Sequence, residues 1–204
     1  MVPPTYVRFV AIIATLYGSL PVNGQSELWR QVVPIYARPE TRELNLPAAK
    51  ERSLAGVLQL QDEVDNWSCQ FEDPRGEWRR HLRFEEISLA SPGRRILLIE
   101  AGPGCARGGQ GSNGAMWLLA LDRDKLRLLA TPQKGFSGWI YSIQPEKHNG
   151  LADIVVGWHM SAFEADLSYF RFDGHIYRKA TTATISDRNG SPQITPSPVN
   201  PERR

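Results

Sequence analysis

Residues 150–178 read "GLADIVVGWHMSAFEADLSYFRFDGHIYR". Two runs in it, "ADIVVGWH" and "DLSYFRF", are rich in branched and aromatic residues and are bounded by Gly, Asn and Asp. That is the texture of β-strands. After the second run comes Asp173-Gly174, a dipeptide whose two residues tolerate the positive φ that a two-residue hairpin turn requires. This register pairs Phe172 with His175 and Phe170 with Tyr177, setting aromatic side chains on one side of the sheet.

The same texture extends outward from that hairpin. From Trp78 on, the runs are "WRRHLRFEEISL", "RRILLIEA", "AMWLLALD", "KLRLLAT", "WIYSIQ", "ADIVVGWH", "DLSYFRF" and "HIYRKATTATI". Links of a few residues cannot make parallel crossovers, so the runs predict an antiparallel meander. A second hairpin is expected in "LALDRDKLRLL", with residues 122–125 as the reversal. The fold class is therefore mainly β, six to eight strands closed as a half-propeller-like or sandwich sheet.

One N-terminal amphipathic helix precedes the meander. Asn45 is a capping residue, Pro47 suits a first turn, and Leu54, Val57, Leu58 and Val64 fall on one face, so the spacing predicts a helix over 47–64. Gly56 inside it costs about 1 kcal/mol relative to Ala.

The chain begins "MVPPTYVRFVAIIATLYGSLPVNGQSE", with one charge, Arg8, before an apolar run over 9–20 and small residues ahead of Gln25. This is the layout of a secretory signal peptide, 1–24, cut after Gly24. Residues 25–45 read as an extended lead-in and 46–185 as a single domain. Residues 186–204, rich in Pro, Ser, Asn and Arg, are expected to be disordered for want of apolar residues to bury.

Removing Arg8 from the 24 basic residues leaves 23 against 22 acidic ones. A balanced charge gives no long-range field, so neither nucleic acid nor, after signal cleavage, a membrane is an expected partner. Two cysteines occur, Cys69 and Cys105. In an oxidising compartment an even count predicts one disulfide, worth roughly 4 kcal/mol on the chain-entropy model.

The candidate chemistries are few. "AGPGCARGGQGSNGA", residues 101–115, holds six glycines and must be a loop. Gly109, Gly111 and Gly114 have the G-x-G-x-x-G spacing, but the strand-to-helix context and the acid about 20 residues on are missing, so no nucleotide cofactor is expected. Arg107, Gln110, Ser112 and Asn113 in that loop, together with His159, form the expected binding surface. His159, Glu164, Asp166, Asp173 and His175 crowd residues 159–175 without a helical H-E-x-x-H pattern. In a strand, Asp153, Val155, Gly157 and His159 point one way and Ile154, Val156 and Trp158 the other. No metal site and no catalytic set is predicted. A hydrolase using Ser161, His159 and Glu164 is the alternative. Trp29, Trp67, Trp78, Trp117, Trp139 and Trp158 read more simply as core and rim aromatics than as a carbohydrate platform, although exposed ones could stack on sugar rings.

"NGLADIVVGW" followed by "YFRFDGHIYR" resembles a blade of the FG-GAP (VCBS-type) β-propeller repeat. In that family an acidic loop before the strand holds calcium. Here "PEKHNGLAD" has Glu146, Asn149 and Asp153 without the tight acidic run. More widely, the order "LPAAKERSL", "WSCQ", "ILLIEAGPGCARGGQGSNGAMWLL", "GLADIVVGWHMSA" and "YFRFDGHIY" resembles a family of uncharacterised exported bacterial proteins. That resemblance implies secretion and a β-rich domain, with no activity to carry over. The expected function is a non-enzymatic binding or interaction module of the bacterial envelope, secreted or periplasmic, acting on a protein or small ligand without a cofactor. An inhibitor of a foreign enzyme in the periplasm is a further alternative.

Overall fold

The apolar runs fold into an antiparallel sheet of ten strands. The computed structural model describes residues 22–32, 41–43, 54, 56–58, 82–90, 94–101, 113–122, 125–187 and 190–198. Helix α1 (Val22–Gln31) comes first, followed by β1 (Thr41–Glu43), β2 (Leu82–Ile87), β3 (Arg95–Ala101), β4 (Gly114–Asp122) and β5 (Lys125–Ala130). A 3-10 turn at Pro132–Lys134 leads to β6 (Ser137–His148), β7 (Leu151–His159), β8 (Glu164–Phe172), β9 (Tyr177–Ser186) and β10 (Gln193–Pro196). The strands lie in the order β1-β2-β3-β4-β6-β7-β8-β9-β10, with β5 paired to β4. Each of the eight expected runs supplies one of β2 to β9. The two further strands are the short β1 and β10, which come from the lead-in and the tail.

The sheet has two halves, β1 to β5 and β6 to β10, and the joints between them are short. At one, Gly114 and Ala115 of β4 pair with Gly138 and Ser137 of β6. At the other, Ala90 bridges Leu151 and the Ala152 N–H donates to the Leu89 carbonyl at 2.8 Å. Gly138 has φ 114°, and a Cβ on it would lie 1.8 Å from the Gly157 carbonyl oxygen, so no other residue fits the first joint.

Alternation along the strands sorts the apolar residues into three clusters. Ile96, Leu98, Met116 and Leu118 of one half share an inner core with Ile154, Val156, Phe170 and Phe172 of the other. Their sequence neighbours face outward: Leu97, Ile99, Trp117 and Leu119 on one side, Val155, Leu167 and Tyr169 on the other. Both outer faces are covered as well. Leu54 and Leu58 are fully buried on the first, and Trp29 of α1 and Val32 just after it are buried on the second. Strands apolar on both faces explain why "ILLI" and "DIVV" read as continuous runs instead of alternating ones.

Three sequence expectations change. Residues 25–45 were expected to be extended, yet α1 occupies Val22–Gln31, and its Trp29 and Leu28 pack on the same outer cluster as Val32 just beyond its end. The tail was expected to be disordered, yet Gln193–Pro196 pairs with β9 and Ile194 packs on the outer cluster. Pairing satisfies the backbone where side chains alone bury little. The hairpin at Asp173-Gly174 pairs Phe172 with Tyr177 and Phe170 with Lys179, two residues off the expected register. The Asp173 side chain, not the dipeptide alone, shapes that turn: its Oδ1 accepts from the N–H groups of His175 and Ile176, both at 2.8 Å, which gives a four-residue loop. Of the helix expected over 47–64, residues 54 and 56–58 are described and helical.

Candidate functional site

The end of the sheet where β7 turns into β8 is where apolar side chains reach solvent. The N–H groups of Met160 and Ser161 both donate to the Glu164 carbonyl, at 3.0 and 3.1 Å, and the Ser161 Oγ accepts from the Phe163 N–H at 3.2 Å. The turn is thereby held by its own backbone and leaves its larger side chains without an internal role. Trp158 is 43 % exposed, Met160 57 % and Phe163 60 %. Large apolar groups gathered at one surface point mark a contact site.

This end is also locked from beneath. Asn113 is buried at the exit of the glycine loop, and its amide clamps His159: Nδ2 donates to the His159 carbonyl at 2.9 Å and Oδ1 accepts from the His159 N–H at 2.8 Å. Trp139 lies opposite Gly157 in the ladder, and a Cβ on Gly157 would sit 2.5 Å from the indole. With no side chain in the way the ring lies flat and stacks on the His159 imidazole, centroids 4.1 Å apart at 27°. The "GWH" triplet is thus a seat for Trp139. Of the expected binding residues, Asn113 and His159 are in direct contact. Arg107, Gln110, Ser112, Cys69 and Cys105 lie outside the described residues.

The inner face continues past the shared core into a groove of about 440 Å³. Its floor follows from register. Ile154 pairs with Phe170 inside the core; one rung further out, Val156, Ser168 and Thr182 stand side by side; beyond them stand Trp158, Asp166 and Thr184. The face therefore grades from apolar to hydroxyl-bearing to an indole beside a carboxylate. Thr184 Oγ1 donates to Asp166 Oδ1 at 3.2 Å. A bulge on β9 leaves Ala180 without a partner, since Tyr169 pairs with Thr181 and Phe170 with Lys179. That extra residue puts Lys179 and Thr182 on the same side of the sheet, where alternation alone would separate them. The Lys179 Nζ lies 5.9 Å from the Phe170 ring centroid, at the groove edge. Ser197, from the tail, also lines it, its N–H donating to the Thr182 carbonyl at 2.9 Å.

A second polar constellation lies on the outer face. Asp153 is fully buried, opposite a bulge in which residues 144–146 of β6 face this one residue of β7. Tyr169 donates its hydroxyl to Asp153 Oδ2 at 3.1 Å, Arg171 Nε lies 3.3 Å from the same oxygen, and His148 Nδ1 lies 2.9 Å from Oδ1. Burial foremost, then the Asp153 charge and this hydrogen bond, pushes the Tyr169 phenol well above its ordinary value. Trp29 of α1 packs edge-on against Tyr169 with centroids 5.9 Å apart, roofing the network. Both Asp153 oxygens are engaged by groups of the fold, an arrangement that anchors β6, β7 and β8 together. Asn149, from the same segment, instead donates Nδ2 to the Phe172 carbonyl at 3.1 Å.

The other polar residues of 159–175 disperse. Asp173 is drawn into the next hairpin, with Arg178 Nε 2.6 Å from its Oδ2. Burial would raise its carboxyl, but the amides of Ile176 and His175 and then the Arg178 guanidinium outweigh that and hold it below the ordinary carboxylate value. His159 pairs with Ala165, so Glu164, the next residue, alternates to the opposite face, and Ser161 lies in the exposed turn. The register does not bring Ser161, His159 and Glu164 to one point. Among the described residues no three His, Cys, Asp or Glu are placed to hold a metal ion, and no helix is long and apolar enough to cross a membrane.

The residues that sequence reading missed are Trp158, Asp166, Ser168 and Thr182 as a group. The signal was there in part: alternation already sets Trp158 on the side of Ile154 and Val156. What alternation lacks is the pairing of β7, β8 and β9 that aligns these residues in rungs. Comparison with protein-family models, curated proteins and solved structures gives no match.

Proposed function

We propose that the protein is an exported, non-enzymatic binding module of the bacterial envelope whose contact surface is the β7–β8 end of the sheet. The observation that carries this reading is the joint exposure of Trp158, Met160 and Phe163. The same end is held rigid by Asn113 and by Trp139 stacked on His159. A preorganised apolar tip loses little conformational freedom on binding. Export rests on the leader-like first 24 residues, and the pair Cys69 and Cys105 fits an oxidised destination.

The test is fractionation of bacteria expressing the chain with its own N-terminus. The wild type is expected in the envelope pellet with an N-terminus at Gln25 and no alkylatable thiol. The double variant Met160→Ser/Phe163→Ser is expected to move to the soluble exported fraction. Equal partition of the two proteins would remove the tip as the contact surface, and retention in the cytoplasm would remove export.

A further inference from the structure

We propose that the groove beside Trp158 is a subsite for an uncharged, polyhydroxylated glycan. This deepens the reading of the β7–β8 end as a binding surface and rests on it. The argument begins with the two rungs, Val156-Ser168-Thr182 and Trp158-Asp166-Thr184, each spanning β7, β8 and β9. Strand spacing and rise make this surface about 10 Å across and about 7 Å along, a patch on which a disaccharide lies flat.

The chemistry of the patch narrows the ligand. Trp158 is 43 % exposed, and the weakly positive C–H groups on one side of a sugar ring suit the electron-rich face of an indole. The ring's hydroxyls then fall against side chains that donate and accept. Ser168 and Thr182 do both, and Asp166 keeps an oxygen beyond the one bonded to Thr184. Lys179 at the rim donates only. The other ligand classes fit less well. A phosphate or polyanion would find one ammonium facing one carboxylate, so the groove offers no net attraction. An acyl chain would find hydroxyls and a carboxylate to desolvate, at a cost that burying it against Val156 does not offset.

Strand pairing builds the groove. The β9 bulge at Ala180 is what brings Thr182 onto the face that Lys179 shares with Tyr177, and the pairing of β10 with β9 is what brings Ser197 to the groove. Bulges that re-aim side chains concentrate at functional positions.

The experiment measures depletion of the purified full-length protein by three insoluble glycans, namely peptidoglycan sacculi, chitin and cellulose, together with quenching of tryptophan fluorescence by their soluble oligosaccharides. Binding to at least one is expected, and the arms identify the source. Trp158→Ala is expected to weaken it about tenfold, while Trp158→Tyr, which keeps an aromatic face, stays within about threefold. Asp166→Asn, at an exposed position, is expected to weaken binding by about fivefold without unfolding the protein. No binding to any of the three glycans, or equal binding by Trp158→Ala and wild type, overturns the proposal. Met160→Ser/Phe163→Ser separates the two readings. If it still releases the protein from the envelope while no glycan binds, the glycan assignment fails and the docking surface stands. If glycan binds through Trp158 while that variant partitions like wild type, the docking surface fails and the glycan subsite stands.

Discussion

Asn113 holds His159 by both of its main-chain polar groups, donating to the carbonyl at 2.9 Å and accepting from the N–H at 2.8 Å. A side-chain amide here stands in for one residue of a neighbouring strand. It joins the exit of the glycine loop to the end of β7, 46 residues further along the chain. Asn113→Ala leaves a buried donor and acceptor without partners and is expected to cost about 2 kcal/mol in urea unfolding. Asn113→Asp is expected to cost more, since it buries a charged carboxylate oxygen against the His159 carbonyl oxygen with no donor between them. A change below about 0.5 kcal/mol in both variants would show that the contact does not bear on stability.

Gly157 and Trp139 make a reciprocal pair. A methyl group at Gly157 would overlap the indole at 2.5 Å, so Gly157→Ala is expected to expel Trp139 from its stack on His159 and destabilise the fold by about 1–3 kcal/mol. Trp139→Ala in the same chain removes the clash, so the double variant is expected to be less destabilised than the sum of the singles. Additive losses in the thermodynamic cycle would count against the overlap.

For Asp153 the prediction turns on the groups left behind. Asp153→Ala strands the Arg171 guanidinium, the Tyr169 hydroxyl and the His148 ring at a fully buried position. The expected loss is about 3 kcal/mol, toward the low end for a broken buried ion pair because Arg171 and His148 keep partial access to water. Trp29 emission should change in step, since its ring packs on Tyr169. A urea midpoint equal to wild type would refute an anchoring role.

Alkaline titration probes the outer face through Tyr141 and Tyr169 and the inner core through Tyr177. Burial pushes the Tyr141 phenol from 10.0 up to about 12, and Tyr169 and Tyr177 are raised in the same direction. The folded state favours neutral phenols, so their contribution is whole below pH 10 and is lost as pH rises through the folded values. Between pH 10 and 12 each such tyrosine is expected to remove about 1.4 kcal/mol per pH unit. Tyr141→Phe is expected to flatten that limb of the stability profile. Phenolate absorbance rising fully near pH 10 in the native protein would contradict the burial argument.

Much of this architecture was legible in local texture, because each of β2 to β9 is a branched or aromatic run closed by turn residues. The reversal after Asp122 was legible for the same reason, and Asp122 does pair with Lys125. The register beyond Asp173 was not, since the aspartate side chain collects two amides and lengthens the loop. The cover provided by α1 was hidden because Trp29 and Val32 find their partners only through Tyr169, Val155 and Leu167, which lie more than 120 residues further along the chain. Asp153 was visible as an acid beside an apolar run. Its partners His148, Tyr169 and Arg171 come together through a bulge and a cross-strand pairing, both of which are properties of the assembled sheet. The groove was illegible for a similar reason: Lys179 and Thr182 share a face only because Ala180 has no ladder partner.

The two halves of the sheet touch through short ladders but share one continuous inner core. Their cohesion is therefore carried by nonpolar contact more than by hydrogen bonds. Severing the chain at the 3-10 turn Pro132–Lys134 would divide the molecule along this seam, leaving two pieces with complementary greasy faces. A split reporter reconstituted by co-expression of the two pieces would exploit those faces.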